Sequence, residues 1–349
     1  PYFLATALST ASPIVKYLEI FSSLLISARE NIHPENNIVS ITKNDNFFKI
    51  FPLKNLNSFT ERTFKLMSNK TKAVFFMLIS ALGFTLMSVT VKYLGDIPLF
   101  EKVFFRNLVS LVIAFYFIKK SSSPVFGQRK NQLALLARAG FGLTGVILNF
   151  YAISRLTLAD STMLGKLSPI FVTIMACLFL KEKIDKEQII SIFITFAGAL
   201  LVIKPQFSLS IIPSISGLLS AAFSGVAYTL LRYLKDKESP DTIVFYFSII
   251  SVLGTLPFVL ADYVIPTSTQ IMLLLATGLF ASIGQFGITY AYKYSNATEV
   301  SIYTYSAIVF GILFGFIFFH EIPDMLSLLG GAIIIAVAYY TFKHNQKKN

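Results

Sequence analysis

The amino-acid sequence predicts an all-α polytopic membrane protein whose ten transmembrane helices form two inverted five-helix repeats. Three observations support this fold class: a low content of charge, apolar segments of membrane length, and an internal repeat. Of the 349 residues, 54% are hydrophobic and only 14% are charged, whereas a soluble globular chain carries about 25% charged residues. The same composition excludes a disordered chain, and a single cysteine excludes a disulfide framework.

Ten apolar segments from residue 73 onward have the length needed to cross a hydrocarbon core of about 30 Å. Helices are expected because lipid cannot satisfy an open backbone, and no polar and apolar alternation indicates a barrel. The fourth segment contains Ser168-Pro169 and should be loosened there, since Pro169 has no backbone donor and clashes with the preceding turn. The predicted spans are 73–94, 98–118, 132–154, 158–180, 188–204, 212–234, 241–261, 269–292, 297–319 and 325–343.

The distribution of Lys and Arg predicts that both termini lie in the cytoplasm. If the chain begins there, the loops and helix ends on that side carry most of the basic residues. The other side has only Lys92, Lys102, Arg155 and Lys204, mostly at helix ends. This asymmetry follows the positive-inside rule, so the formal net charge of +12 is expected to reflect cytoplasmic loops rather than a nucleic-acid partner. The expected location is a bacterial-type inner cell membrane.

A shift of the chain by 139 residues aligns the third to fifth spans with the eighth to tenth without a gap. Glu182 then aligns with Glu321, and Gly145 aligns with Gly284. Each repeat holds five helices, so the second repeat begins on the opposite face of the membrane from the first. Inverted repeats are typical of secondary transporters, in which a site between the halves is exposed to alternate sides.

Residues 1–66 differ from the rest of the chain. They contain no methionine, and the first methionine, Met67, opens a short basic segment ahead of a hydrophobic helix. We therefore expect residues 1–66 to be an N-terminal extension outside the functional fold. The first five-helix repeat is expected at 67–205 and the second at 206–349.

The chain resembles the EamA-type proteins of the drug/metabolite transporter superfamily, which have ten helices in two five-helix units. The resemblance rests on FFRNLVSLVIAF from Phe104, YAISRLTLADSTMLGKLSPIFVTIMACLFLKEKI from Tyr151 and YTYSAIVFGILFGFIFFHEIPD from Tyr303. It covers residues 73–343, and residues 1–66 have no counterpart in it. The resemblance implies export or import of amino acids, other metabolites, nucleotide precursors or drugs.

Lys166 is the sharpest candidate for a substrate-binding residue. It lies about 12 Å along the fourth span from Leu158, at about 1.5 Å per residue, which is too deep to reach water easily. Because polar groups inside a membrane are costly and usually face a cavity, Lys166 is expected to bind a carboxylate or phosphate, or to titrate. A structural ion pair or hydrogen bond is the alternative. Arg138, near the start of the third span, is interpreted as an anchor reaching the membrane surface.

Four further residues are candidates for substrate binding. Arg106 is expected to pair with Glu101, to anchor a helix end or to bind an anionic substrate. Asn149 and Gln285 offer neutral hydrogen bonds, from spans that line the central cavity in the family that the chain resembles. Tyr303 is expected to provide an apolar wall, although interfacial belts account for many membrane tyrosines.

Asp160 and Glu299 occupy equivalent positions in the two repeats, each near the start of a span. Thr157-x-x-Asp160 and Asn296-x-x-Glu299 are typical of helix-capping boxes, and the helix dipole also favours an acid there. The alternative is proton coupling. Because the repeats are inverted, the two acids would lie at opposite faces of the membrane, where either can accept a proton or another cation.

The sequence contains no phosphate-binding loop, zinc-protease motif or aligned nucleophile and base, and its three histidines are scattered. We therefore expect neither an enzyme nor a bound cofactor or metal. The predicted function is secondary transport of small organic metabolites, such as amino acids or related compounds or drugs, by alternating access driven by a proton or substrate gradient. An uncoupled facilitator and a non-transporting scaffold or sensor are the alternatives. Substrate identity, proton participation and a homodimer stay open.

Overall fold

Long apolar segments that begin at polar capping residues give an all-helical bundle without strands in the described part of the chain. The computed structural model describes residues 68–121, 123–180, 185–204, 211–295 and 300–346. The predicted extension 1–66 therefore lies outside the described residues. The helices are α1 Asn69–Tyr93, α2 Leu99–Ser121, α3 Gln132–Arg155, α4 Leu158–Gly165, α5 Ser168–Leu180, α6 Lys186–Ile203, α7 Ile212–Leu234, α8 Pro240–Ala261, α9 Ser268–Tyr294, α10 Ser306–Phe319 and α11 Met325–Gln346.

Side-chain caps explain where several helices begin. The hydroxyl of Ser68 accepts a hydrogen bond from the backbone of Thr71 at the start of α1, and Ser239 plays the same role before α8. Asp185 before α6 and Thr267 before α9 each form a reciprocal capping box with the residue three positions on. These caps satisfy backbone donors that have no partner within the helix.

The predicted membrane-spanning helices are confirmed, and helix α2 differs from the others in its content of charged residues. Nine helical segments of the described chain are long and apolar enough to cross a membrane, α4 and α5 together forming one of them. Helix α2 is not among these nine, because every 18-residue window of it contains three charged residues. At 23 residues it is nevertheless about 35 Å long. Its charges at Glu101, Lys102 and Arg106 are buried in the bundle.

The helices pack in pairs that the internal repeat relates to one another. Helix α1 packs on α9 and α7 packs on α3, while the repeat aligns α1 with α7 and α3 with α9. Helices α2 and α8 pack together, and so do α6 and α11, each pair joining equivalent elements of the two repeats. This exchange of partners is the expected result of two inverted repeats that fold around a shared axis.

The fourth and ninth spans are interrupted at equivalent positions. Helix α4 ends at Gly165, and α5 begins at Ser168. The ninth span starts with a 3₁₀ turn, Ser301–Tyr305, before α10. With the shift of 139 residues, Lys166 aligns with Tyr305 at the end of that turn.

The predicted loosening of the fourth span at Pro169 is confirmed, and it takes the form of a break between α4 and α5. Pro169 cannot donate to the carbonyl of Gly165, so the backbone leaves the helical pattern there. The amide of Leu167 bonds instead to the carbonyl of Leu164 at 3.1 Å, a tighter turn.

The two ends of the bundle are named from the helix order. The first face carries the starts of α1, α3, α6 and α8, and the second face carries the starts of α2, α4, α7, α9 and α11. An ion pair between Lys204 and Asp324 lies at the second face, where α6 ends and α11 begins. It holds the pKa of the Asp324 carboxyl below its usual range.

Close approach of α9 and α2 depends on Gly278. A Cβ atom at this position would lie 2.4 Å from the Cβ of Val109, which no real structure tolerates. We expect Gly278→Leu to separate the two helices and to lower the free energy of unfolding by about 1–3 kcal/mol, visible as a lower melting temperature in detergent. Gly140→Leu is the control, since a Cβ there meets no atom within 4 Å. Equal melting temperatures for both variants would contradict this packing.

Candidate functional site

A cavity of about 140 Å³ lies inside the bundle, beside the interruption of the fourth span. Residues from α1 to α5 line it, together with residues from α7 to α10, so both repeats contribute. Gly165, Lys166 and Pro169 bring the interrupted backbone to its wall. In transporters built from inverted repeats, such interrupted helices near the middle of the membrane form the substrate site.

Three cationic side chains line this cavity, and its lining in the described chain includes no Asp or Glu. They are Arg106, Arg138 and Lys166, and all three belong to the first repeat. Each arginine is only 2% exposed, whereas Lys166 is partly accessible. A cluster of positive charge without a nearby carboxylate is costly in a site of low dielectric constant. The cavity is therefore strongly electropositive and suited to an anion.

The two arginines share one aromatic ring. The guanidinium carbon of Arg138 lies 4.3 Å from the ring centre of Phe247, and that of Arg106 lies 5.3 Å from it. Phe247 belongs to α8 in the second repeat. The side-chain oxygen of Asn107 accepts a hydrogen bond of 2.5 Å from Arg106. Cation–π contact offsets part of the cost of burying the two charges.

The interpretation of Arg138 as a surface anchor is wrong. Its side chain folds inward along α3 because Gly142, one turn later, leaves room for it. A Cβ at Gly142 would lie 2.8 Å from a terminal nitrogen of Arg138 and 3.0 Å from Phe247. The spacing Arg138-x-x-x-Gly142 was the available sequence signal, since it places a gap on the same helix face as the cation.

Lys166 is the residue that follows the last turn of α4. The carbonyl end of a helix carries partial negative charge, which favours a cation there. Within the described residues its ammonium has no ion pair and no hydrogen bond, so the predicted alternative of a structural partner finds no support in this part of the chain. The ammonium is thus available to a ligand in the cavity.

Neutral polar groups complete the lining. Asn149 and Gln285 both line the cavity, and the buried amide nitrogen of Gln285 has no hydrogen-bond partner in the described chain. Tyr228 and Tyr292 also line it, although the sequence offered no signal that separates them from the other tyrosines. Together these side chains can orient a ligand through neutral hydrogen bonds.

Other predicted site residues lie elsewhere. Tyr303 is not among the cavity-lining residues, and its ring centre lies 6.5 Å from that of Phe342. The backbone of Asp160 donates to the Thr157 hydroxyl at 3.0 Å, as a helix cap requires. The Asp160 carboxylate lies outside the cavity lining, and one of its buried oxygens has no partner in the described residues. Glu299 lies outside the described residues.

A polar network joins the two repeats at the second face. Glu321 forms an ion pair with Lys92 at the end of α1, and this contact is named the second-face ion pair. The other carboxylate oxygen of Glu321 accepts a hydrogen bond of 2.8 Å from the backbone of Leu158, which begins α4. Lys92 also donates to the carbonyl of Leu156 at 2.7 Å. The network therefore connects α1, the loop after α10 and the interrupted fourth span.

A second cavity adjoins the first. Pro169, Val172 and Tyr292 line both, and the second continues to Arg232 and Thr341 near the first face. The second cavity thus lies between the first cavity and the first face. On the other side, the second-face ion pair holds helix ends together.

Comparison with known proteins adds a family match. The family model described as the EamA-like transporter family matches residues 71–204 and again residues 211–343. The two matches fall on the two halves of the bundle. Together they cover most of the chain.

Named relatives include transporters from bacteria. A pseudopaline exporter of Pseudomonas aeruginosa is 32% identical over 265 residues, which is 75% of this chain and 93% of the relative. An S-adenosylmethionine uptake transporter of Rickettsia prowazekii is 26% identical over 281 residues, or 78% of this chain and 92% of the relative. One protein of known crystal structure matches with a TM-score of 0.60 at 13% identity, covering 80% of this chain and 99% of that one. That last likeness bears on the fold alone.

Proposed function

The chain belongs to the EamA-like transporter family of the drug/metabolite transporter superfamily, and from this premise we propose that it is a secondary transporter of small organic metabolites. Amino acids or related compounds are the proposed substrates, carried by alternating access. The single observation that carries the proposal is the electropositive cavity between the two inverted repeats, beside an interrupted span. A cavity of this kind at a repeat interface is where transporters of this architecture bind their substrates.

Each lining residue has a proposed role. Lys166 and Arg106 bind anionic groups of the substrate, while Asn149 and Gln285 orient its neutral polar groups. Tyr228 and Tyr292 form the wall that the sequence assigned to Tyr303. These roles follow from the chemistry of the side chains around one cavity.

Proton coupling is part of the proposal and involves Asp160. Its buried carboxylate lies near the second face, next to the start of α4, and one oxygen lacks a partner in the described chain. Glu299 is the equivalent acid in the second repeat. The proposed setting is a bacterial-type inner cell membrane with the first face, and therefore both termini, in the cytoplasm. The moving halves are residues 67–205 and 206–349, and homodimerisation stays a prediction.

The alternatives are weaker on physical grounds. A scaffold or sensor has no need of three cations around one internal cavity, and such groups are costly in a membrane. The two named bacterial relatives are a pseudopaline exporter and an S-adenosylmethionine uptake transporter rather than enzymes. An uncoupled facilitator is the nearer alternative, and it differs from the proposal only in its response to a pH gradient.

Counterflow into proteoliposomes that hold the full chain tests the proposal. Vesicles are loaded with one unlabelled metabolite at a time, amino acids first, and uptake of the labelled compound is followed with and without an imposed pH gradient. We expect saturable uptake of at least one compound, accelerated by the gradient and absent from empty vesicles. Saturable uptake that ignores the gradient would favour a facilitator. Absence of any uptake by folded protein would contradict transport of this class.

A further inference from the structure

We infer that the substrate carries two separate anionic groups, one bound by Arg106 and Arg138 on the ring of Phe247 and the other bound by Lys166. This inference rests on the proposed transport function and names the class of substrate. The observation behind it is the number and the grouping of uncompensated cations around one cavity.

The first step concerns the total charge. Three cations face a cavity with no carboxylate in its described lining. Charges removed from water are costly unless they are paired, and the cost grows when like charges lie close together. A substrate with one carboxylate would leave two of the three cations uncompensated. A substrate with two anionic groups brings at least two negative charges and can satisfy both parts of the cluster.

The second step concerns how the cations are grouped. The guanidinium groups of Arg106 and Arg138 both lie against the ring of Phe247, so they form one unit. Lys166, in contrast, makes no cation–π contact with that ring in the described chain. It also lies on a different element, the interruption between α4 and α5. The cavity therefore offers two anion subsites rather than one, with Asn149 and Gln285 available for the part of the substrate between them.

The third step concerns geometry within the arginine subsite. The guanidinium carbons of both arginines lie within 5.3 Å of the centre of the Phe247 ring. A guanidinium can contact an aromatic ring and still bind an anion through its N–H donors. In the described chain, the buried Nε atoms of Arg106 and Arg138 have no hydrogen-bond partner. Edge donors of this kind bind two oxygens of a carboxylate or phosphate side by side. The Asn107 oxygen holds Arg106 in place and is thus a positioning contact.

A length series of ligands tests the inference with the full chain. Linear dicarboxylates of four to eight carbons are compared with monocarboxylates of the same length, by shift of the melting temperature in detergent and by inhibition of counterflow. We expect at least one dicarboxylate to inhibit counterflow at a concentration at least tenfold lower than the monocarboxylate of the same length requires. The same dicarboxylate should raise the melting temperature. 3-Phosphonopropionate distinguishes the sources of charge, since tighter binding than the matched dicarboxylate assigns a phosphate-like group to one subsite.

Variants separate the two subsites. Arg138→Gln and Lys166→Gln are each expected to reduce the preference for a dicarboxylate over the matched monocarboxylate to less than twofold. Lys120→Gln, at an exposed position, should leave this preference unchanged. Arg138→Lys retains charge without the planar fork and should show an intermediate preference. If monocarboxylates and dicarboxylates act equally on a chain that carries out counterflow, the inference fails and the transport function stands. If no counterflow occurs at all, the thermal shift still decides whether two anionic groups are preferred.

Discussion

Lys166→Met is expected to remove saturable counterflow while leaving the fold as stable as before or more stable. Methionine keeps the length and apolar character of the side chain but cannot bind an anion. Loss of one partner from a desolvated charge contact costs about 2–5 kcal/mol, so uptake at low substrate concentration should fall at least about thirtyfold. Stability should not fall, because the ammonium has no ion pair in the described chain and removing an uncompensated charge is favourable.

Two measurements on the same preparation distinguish a binding role from a structural one. Counterflow reports function, and the melting temperature in detergent reports the fold. Lys120→Met, at an exposed position near the end of α2, is the matched control and should change neither. A lower melting temperature for Lys166→Met would indicate a structural role instead. If a folded Lys166→Met chain takes up substrate at the wild-type rate, the proposed site is contradicted.

Glu321→Gln is expected to make the cavity more accessible from the second face. Glutamine keeps an oxygen that can accept the hydrogen bond from the backbone of Leu158, but it cannot form the second-face ion pair with Lys92. A hydrogen bond to a charged group contributes about 1.5–3 kcal/mol, so the open population should rise about tenfold or more. The start of α4 should keep its cap.

Cysteine labelling measures this shift. In a Cys177→Ser background, Ser161→Cys places a thiol in the cavity lining, and a membrane-impermeable maleimide is added to intact cells and to inverted membrane vesicles. We expect Glu321→Gln to accelerate labelling about tenfold from the second face only. Asp324→Asn is the control, since it breaks an ion pair on the same face between α6 and α11. Equal rates in both variants would exclude a specific role for the second-face ion pair.

Much of the fold could be predicted because it depends on local properties. Segment length and hydropathy located the spans, and the alignment of Gly145 with Gly284 supported the repeat without any structure. Helix α2 was expected to span the membrane, although its charged residues, among them the buried Glu101, lower its mean hydropathy. The interruption at Lys166 was anticipated only as a loosening at Pro169, because sequence does not reveal how far a turn will open.

Less of the candidate site could be predicted from the sequence, because the site depends on contacts between residues that are far apart along the chain. Lys166 and Gln285 stood out as polar residues in apolar surroundings, and both line the cavity. Arg138 was misjudged because its distance from the membrane surface was considered and the gap left by Gly142 was not. Phe247 carried no signal, since its role arises only when α8 meets α2 and α3. Long-range contacts of this kind require the folded chain.

Within the described chain, the three cations that line the first cavity all lie in the first repeat, and this has an evolutionary consequence. With the shift of 139 residues, Arg138 aligns with Thr277, and Lys166 aligns with Tyr305. After a duplication, two copies of a gene segment can diverge so that one keeps the architecture while the other acquires new specificity. This chain fits such a division of labour. Directed evolution toward new substrates should therefore concentrate on the first repeat. A charge introduced at an equivalent position of the second repeat should create a selectivity that this chain does not have.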